Sequence, residues 1–434
     1  MRRVLCPVET LYVRQRSRAV LSCTLRGRLD AEALSTVFDD VTEAHPSLRS
    51  RTVPDGEGFA MHLLDEAERP RLSVRTGAVE DTFPTELNTS LPFGGPLSRA
   101  TLVRSPDGEE HAFVLSVDHS IVDGRSAMAL LNEVWERYRR LVEDGERPGE
   151  ADRATTYPPS ISALLPPADP EKTAAYLLRR TDEVRRRPAE LIAFDIDDPT
   201  AVADRGEGRI ESALLALDAE RTDRLRRTAR ATGVSVHALI TAALLATARR
   251  QLPGDEPRTL GCLSPVDLRS RLSPPAPALM MIPAVTTHLQ TLDVAPDADP
   301  FELARTVHAR LGEFLAGDEP FQEIRITPEI PRNPFLQLAT VIATNMGVLP
   351  GPRLPEGLEI TGMRLLPGRE NYFPAAGRSP VMACVISVDG RLTIEFPFFT
   401  ACFSPELVQG FRDGVGTVLD TFTEAAEPAP APAD

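Results

Sequence analysis

Asp118-His119-Ser120-Ile121-Val122-Asp123-Gly124 lies between two runs of different periodicity. Before it, His111 to Val117 is short, apolar and rich in Val, Phe and Leu, the composition of a buried strand. After it, within Arg125 to Leu141, Met128, Leu130, Leu131, Val134, Trp135 and Tyr138 recur at helical spacing. His119 is therefore expected on a short turn where a strand ends and a helix begins. The strand would fix the imidazole and the turn would expose its tip. On residue type alone, a single histidine after a strand is more often structural than catalytic. Asp123 suits the start of the helix, where a carboxylate caps free amides and meets the positive end of the helix dipole. Gly124 would allow an unusual backbone conformation or a close approach of chain or ligand.

Working outward toward the N-terminus, Arg18 to Arg26 alternates as a strand and Leu29 to Ala44 reads as a helix, with Leu34, Val37, Phe38 and Val41 on one face. Pro46 stops that helix, and His45 beside its end is read as packing or capping. A hairpin is expected around Pro54-Asp55-Gly56, and a further strand at Thr101 to Val103 is led by Pro96 to Ala100. Toward the C-terminus, prolines at 158, 159, 166, 167 and 170 mark a connection. Beyond it come a helix from Lys172 to Arg187, a strand from Arg209 to Leu217 and a helix from Asp218 to Ala231. An apolar helix then runs to Ala248 with Ser235 as its N-cap; His237 lies in its first turn and is read as packing. The strand Thr340 to Gly347 ends in Asn-x-Gly, where Asn345 is either a turn residue or an amide donor near a reacting carbonyl. Val381 to Val388, Asp389-Gly390 and Leu392 to Phe398 make a hairpin, and Ser404 to Phe422 is the last helix.

Strands and helices mixed in this way give an α/β class with mixed sheets rather than a bundle or sandwich. The expected division is 1–170, 171–424 and a Pro/Ala-rich tail at 425–434 expected to be disordered. The chain has 434 residues, 42% of them hydrophobic, enough for two ordinary cores. A net charge of -15 argues against nucleic acid as a partner, since phosphate binding requires a basic face. Five scattered cysteines without a C-x-x-C pair argue against a disulfide framework and a zinc site. No signal sequence or 18-residue apolar run is evident, so a cytoplasmic protein that does not span a membrane is expected. Nucleophile-elbow, P-loop, H-E-x-x-H and G-x-G-x-x-G motifs are absent.

His-x-x-x-Asp-Gly after a strand and before a helix resembles the signature of acyltransferases with the chloramphenicol-acetyltransferase-like fold. That superfamily includes nonribosomal peptide condensation domains, wax ester synthases and polyketide-associated acyltransferases. Its full pattern is His-His-x-x-x-Asp-Gly; here Asp118 replaces the first histidine, and His119 occupies the catalytic position. His45-Pro46-Ser47-Leu48-Arg49 resembles a structural segment of the same superfamily. Pro265-Val266-Asp267-Leu268-Arg269, followed by Ser273 to Pro277, resembles polyketide-associated acyltransferases related to phthiocerol/phthiodiolone dimycocerosyl transferase.

The resemblance implies two related subdomains in a pseudo-symmetric V with the active site at their interface. It implies His119 as catalytic base, and Arg269 reaching across the domains to hold Asp123. It also implies Asn345 as a tunnel-lining residue, and the backbone amide of Gly124 joins it as a candidate donor to an oxyanion. One histidine without a serine partner fits direct transfer of an acyl group from a thioester to an alcohol. The donor would be coenzyme A or an acyl carrier protein, and the acceptor a hydroxyl of a lipid, polyketide or other natural product. The thioester is then a substrate, no cofactor or metal is required, and a monomer is expected. An amide-forming condensation enzyme and a catalytically silent docking module are the alternatives. Carrier proteins are usually acidic, and Arg179 to Arg187 would offer them a basic patch, although such a run is more often a solvated helix face.

Overall fold

The computed structural model describes residues 1–146, 154–204, 206–370 and 376–424. The tail expected at 425–434 lies outside the described residues.

The run ahead of the histidine forms the strand Glu110–Asp118. It is central to a five-stranded sheet whose order is Leu358–Arg369, Ser17–Gly27, Glu110–Asp118, Ser98–Arg104, Leu72–Thr76. All pairings are antiparallel except that of the last two strands. A central strand is covered on both faces, which explains its continuous apolar composition in place of alternation. The run after the histidine forms the helix Gly124–Asp144, with Met128, Leu130, Leu131, Val134, Trp135 and Tyr138 buried. Trp135 meets Phe113 of the central strand edge to face, with centroids 5.4 Å apart. The helix Ala31–Ala44, capped by Asp30, packs on the same helix. A three-stranded antiparallel sheet of Arg2–Val4, Gly58–Leu63 and Ser50–Asp55 completes this part, with the helix Pro7–Gln15 between its first strand and the main sheet.

A second six-stranded sheet has the order Val285–Val294, Arg258–Asp267, Val341–Val348, Val381–Val388, Arg391–Phe399, Ile210–Leu217. Its helical cover includes Val236–Gln251, capped by Ser235 and buried almost all round, and Pro405–Glu424. The core here is built on Leu239, Leu245, Phe396, Phe411 and Phe422.

The chain forms two compact units: 1–166 with 267–285 and 350–372, and 167–266 with 286–349 and 373–434. This corrects the linear division at 170/171. The physical reason is strand pairing: Leu358–Arg369 adds to the free edge of Ser17–Gly27 over eleven paired positions. At the start of that pairing Gly27 has φ +119°, and a Cβ there would lie 2.0 Å from the carbonyl oxygen of Gly357, so only glycine admits the crossing strand.

Candidate active site

His119 stands one residue past its strand, and its backbone N–H donates to the carbonyl of Ser17 at 2.8 Å, continuing the sheet pairing. The turn closes through the Ile121 N–H to the Asp118 carbonyl at 3.1 Å. The Asp118 carboxylate accepts the Ser120 N–H at 2.9 Å, so the residue that replaces the first histidine shapes the turn. Burial raises the Asp118 carboxyl above its usual range. It lines a small cavity with Arg16, Arg18 and Glu370 that His119 does not border.

The imidazole is half-buried and lies flat on the ring of Tyr12, with centroids 4.1 Å apart and planes inclined by 7°. Its Nδ1 is buried and makes no hydrogen bond of ordinary geometry. Burial lowers the pKa of the ring below its usual 6.5; the backbone of His119 and Val122 and the charge of Asp123 offset this only in part. The ring is therefore neutral at pH 7, the state in which it accepts a proton. Burial, and next the Asp123 carboxylate, also keep the Tyr12 phenol protonated far above neutral pH, with Arg369 opposing them.

Asp123 caps the helix: its Oδ1 accepts the Ser126 N–H at 2.9 Å, while Ser126 Oγ accepts the Asp123 N–H at 3.0 Å. Its Oδ2 takes the Arg269 guanidinium at 2.5 Å and the Ala284 N–H at 2.8 Å. Arg269 is 4% exposed and also donates to the carbonyl of Ile282 at 2.9 Å and to Asp267 at 3.2 Å. Asp267 is shared with Arg125 at 3.2 Å. A buried charge pair this well hydrogen-bonded satisfies the condition under which ions tolerate a dry interior. Arg269 does hold Asp123, but the segment carrying it, 267–285, packs within the first unit, so the pair is internal to that unit. Gly124 is the first residue of the helix and is absent from the positive-φ glycines. It has an ordinary backbone at a position where amides lack partners within the helix, and this corrects the expectation of an unusual conformation there.

The condensation-domain model matches residues 17–251, more than half of the chain and all of the His119 turn. The chain belongs to the condensation-domain family. Residues 206–397 match a second model, the phthiocerol/phthiodiolone dimycocerosyl transferase C-terminus. The phthiocerol/phthiodiolone dimycocerosyl transferase of Mycobacterium leprae is 28% identical over 320 residues, covering 71% of this chain and 72% of that protein. In three dimensions, polyketide synthase associated protein 5 from Mycobacterium tuberculosis aligns with a TM-score of 0.77 at 21% identity, over 98% of this chain and 99% of its own. The trichothecene 15-O-acetyltransferase of Fusarium sporotrichioides aligns with a TM-score of 0.74 at 12% identity, over 97% and 95%. The fold is that of the condensation-type acyltransferases, and with these relatives the chain is an acyltransferase.

In this condensation-family chain, His119, Asp123, Gly124 and Arg269 are gathered in the first unit, and Asn345 belongs to the second. Asn345 Oδ1 accepts the Gly347 N–H at 2.8 Å, and Gly347 has φ +72°. The side chain thus shapes the irregular end of its strand, as a turn residue does, and keeps its amide nitrogen as a donor. His45 closes the helix Ala31–Ala44 and bonds Glu133 at 3.0 Å, a structural pairing. His237 bonds the buried hydroxyl of Ser264 at 3.0 Å, and His288 stacks on Phe314 at 4.4 Å. Among the described residues no group of three or more His, Cys, Asp or Glu could hold a metal ion. No single described helix is long and apolar enough to cross a membrane.

Burial lowers His237 to about 4 and His288 to about 3. In the unfolded chain both rings return to about 6.5. As pH falls below about 6.5 the unfolded chain takes up protons first, so stability declines until the folded rings themselves titrate. The slope is at most about 1.4 kcal/mol per pH unit for each ring. Urea midpoints between pH 7.5 and 5 are expected to fall, and to fall less in a His288→Phe variant; equal slopes in the two proteins would remove His288 from the cause.

Sequence reasoning missed Tyr12 and Ala284. Pro7 at the helix N1 position and the spacing of Val8, Leu11 and Tyr12 could have signalled the first helix. Nothing in the sequence tied its tyrosine to a histidine 107 positions later.

Proposed function

We propose that this acyltransferase moves an acyl group from a thioester, of coenzyme A or of a carrier-protein phosphopantetheine, to a hydroxyl of a lipid, polyketide or related natural product. The observation that carries the reading is a neutral imidazole posted at a strand end, beside a helix start locked by the buried Asp123–Arg269 pair. The alcohol proton passes to His119 as the alcohol oxygen attacks the thioester carbonyl. The C–S bond then breaks, and the imidazolium returns its proton to the leaving thiolate. Nδ1 is the buried nitrogen, which leaves Nε2 for the substrate. Negative charge on the carbonyl oxygen needs donors. The Gly124 amide at the helix start is one candidate. Asn345 retains a donor nitrogen, and its assignment to the oxyanion or to a tunnel wall rests on resemblance to the superfamily. Asp123, with both carboxylate oxygens engaged, acts as the brace of the loop. No cofactor enters this scheme. The protein is taken to work as a cytoplasmic monomer whose carrier-protein or coenzyme A donor meets a small-molecule alcohol.

The relatives named phthiocerol/phthiodiolone dimycocerosyl transferases support acyl transfer, and the fold shared with a trichothecene 15-O-acetyltransferase is compatible with a hydroxyl acceptor. Amide formation, the other reading that the resemblance to condensation enzymes offers, is the second reading. The test is a mass-spectrometric assay with octanoyl-coenzyme A and an octanoyl phosphopantetheine-loaded carrier protein against a panel of alcohols and amines. Ester formation supports the first reading and amide formation the second. No transfer with any pair, together with binding of the loaded carrier, would mean a silent docking module.

Because His119 works as the neutral ring and its pKa is lowered, activity is expected to hold level through neutral pH. Loss should begin only on the acid side of about pH 6.5. A pH–rate profile with an acid limb centred above 6.5 would contradict a buried neutral base.

A further inference from the structure

We propose that Tyr12 is a positioning residue: by stacking on His119 it holds the imidazole in its working orientation, the task that a hydrogen-bonded carboxylate performs in many other histidine bases. The inference rests on His119 being the base. An imidazole that shuttles a proton must be held against rotation about its last side-chain bond, because misplacing the accepting nitrogen loses the aligned geometry on which the rate depends. A carboxylate usually does this by accepting the Nδ1 proton. Of the two carboxylates near it in sequence, Asp123 is fully occupied by Ser126, Arg269 and Ala284, and Asp118 accepts the Ser120 amide. Nδ1 itself is buried without a bond of ordinary geometry. Beside the backbone of His119 and Val122, the side chain packed flat on the ring is Tyr12, parallel to within 7° at 4.1 Å.

The first helix is built to keep that contact. Glu9, fully buried, binds Arg3 through both carboxylate oxygens and takes the Cys6 N–H at 2.7 Å, which fixes the start of Pro7–Gln15. At its end Arg16 adopts φ +48°, a left-handed conformation uncommon outside glycine, and its guanidinium is tied to Glu370. Glu370 also holds Arg18, next to the Ser17 carbonyl that receives the His119 amide. Both the tyrosine and the histidine are thus anchored to the first residues of the strand Ser17–Gly27. A stack also leaves the proton affinity of the ring to its surroundings, whereas a charged partner on Nδ1 would raise it.

Three full-length variants test this: Tyr12→Phe keeps the ring, Tyr12→Leu keeps apolar bulk without it, and His119→Ala identifies the signal. In protein carrying ¹³C-labelled histidine, the His119 Cε1–H resonance is the one missing from H119A. It is expected upfield, over the face of the tyrosine, in wild type and Y12F, and moved downfield in Y12L. With octanoyl-coenzyme A and 1-octanol, Y12F is expected to turn over at close to the wild-type rate. Y12L is expected to lose about 10- to 100-fold in kcat with KM unchanged. An upfield His119 resonance that survives in Y12L overturns the proposal, as does a Y12F as slow as Y12L, which would assign the effect to the hydroxyl. Turnover retained by H119A would instead remove the general-base reading. In that case, or if the wild type does not act on this pair, the histidine resonances still decide whether the stack holds the ring.

Discussion

Replacing His119 by alanine is expected to cut ester formation by about 10²- to 10⁴-fold, the usual worth of a positioned general base, with little loss of folded protein. The ring is half-buried, its Nδ1 makes no hydrogen bond of ordinary geometry, and its backbone amide, which ties the turn to Ser17, is unaffected by the change. The measurement is single-turnover transfer from the acyl donor that the wild type accepts, beside a thermal melt. An alanine variant with wild-type rate would show that proton transfer is handled elsewhere, and the strand-end imidazole would become a packing residue. Asp118→Asn serves as the contrast. Its side chain accepts the Ser120 amide and lines a cavity that His119 does not border, and asparagine can accept the same bond, so turnover is expected to stay close to wild type.

Arg269→Ala should be the most damaging change to stability near the site, by about 3–5 kcal/mol. The guanidinium is the cation for the Asp123 carboxylate and a donor to Ile282, and both partners are buried. Its loss strands a carboxylate in a dry interior, and that penalty, rather than the net value of the pair, sets the size of the effect. Asp123 also caps Gly124–Asp144, so a loosened carboxylate frees the helix start from which His119 takes its bearing. Transfer activity should fall with stability, and Arg269→Lys should recover only part of either, since one ammonium cannot span Asp123 and Ile282 as a fork does. Urea denaturation of the three proteins at pH 7 measures this. An alanine variant as stable and as active as the wild type would reduce the pair to an accident of packing.

How far this site could be read from sequence depends on the separation of its parts. The strand, turn and helix around His119 were legible because the hydrophobic period changes across seven residues and Asp123 has the chemistry of a cap. The Asp123–Arg269 pair spans 146 positions, and no periodicity connects them; only the resemblance of the Pro265 to Arg269 segment to known acyltransferases brought them together. Of the two roles read for Gly124, the special conformation fails, because here it opens a helix with an ordinary one. The strand Leu358–Arg369 went unread because Gly362, Pro367 and Gly368 interrupt its alternation, and its partner begins at Ser17. Tyr12 was invisible for the same reason: contacts that long in sequence leave no local trace.

That late strand has a consequence for how the protein is made. The sheet that carries His119 keeps an open edge along Ser17–Gly27 until residue 369 has been synthesised, so the nascent N-terminal portion leaves the ribosome with unpaired backbone in its largest sheet. Severing the chain at its proline-rich connection would then yield a front half with an adhesive flank rather than an autonomous module. Supplying the remainder as a separate polypeptide, with its Leu358–Arg369 strand, should cover that flank and keep such a half in solution.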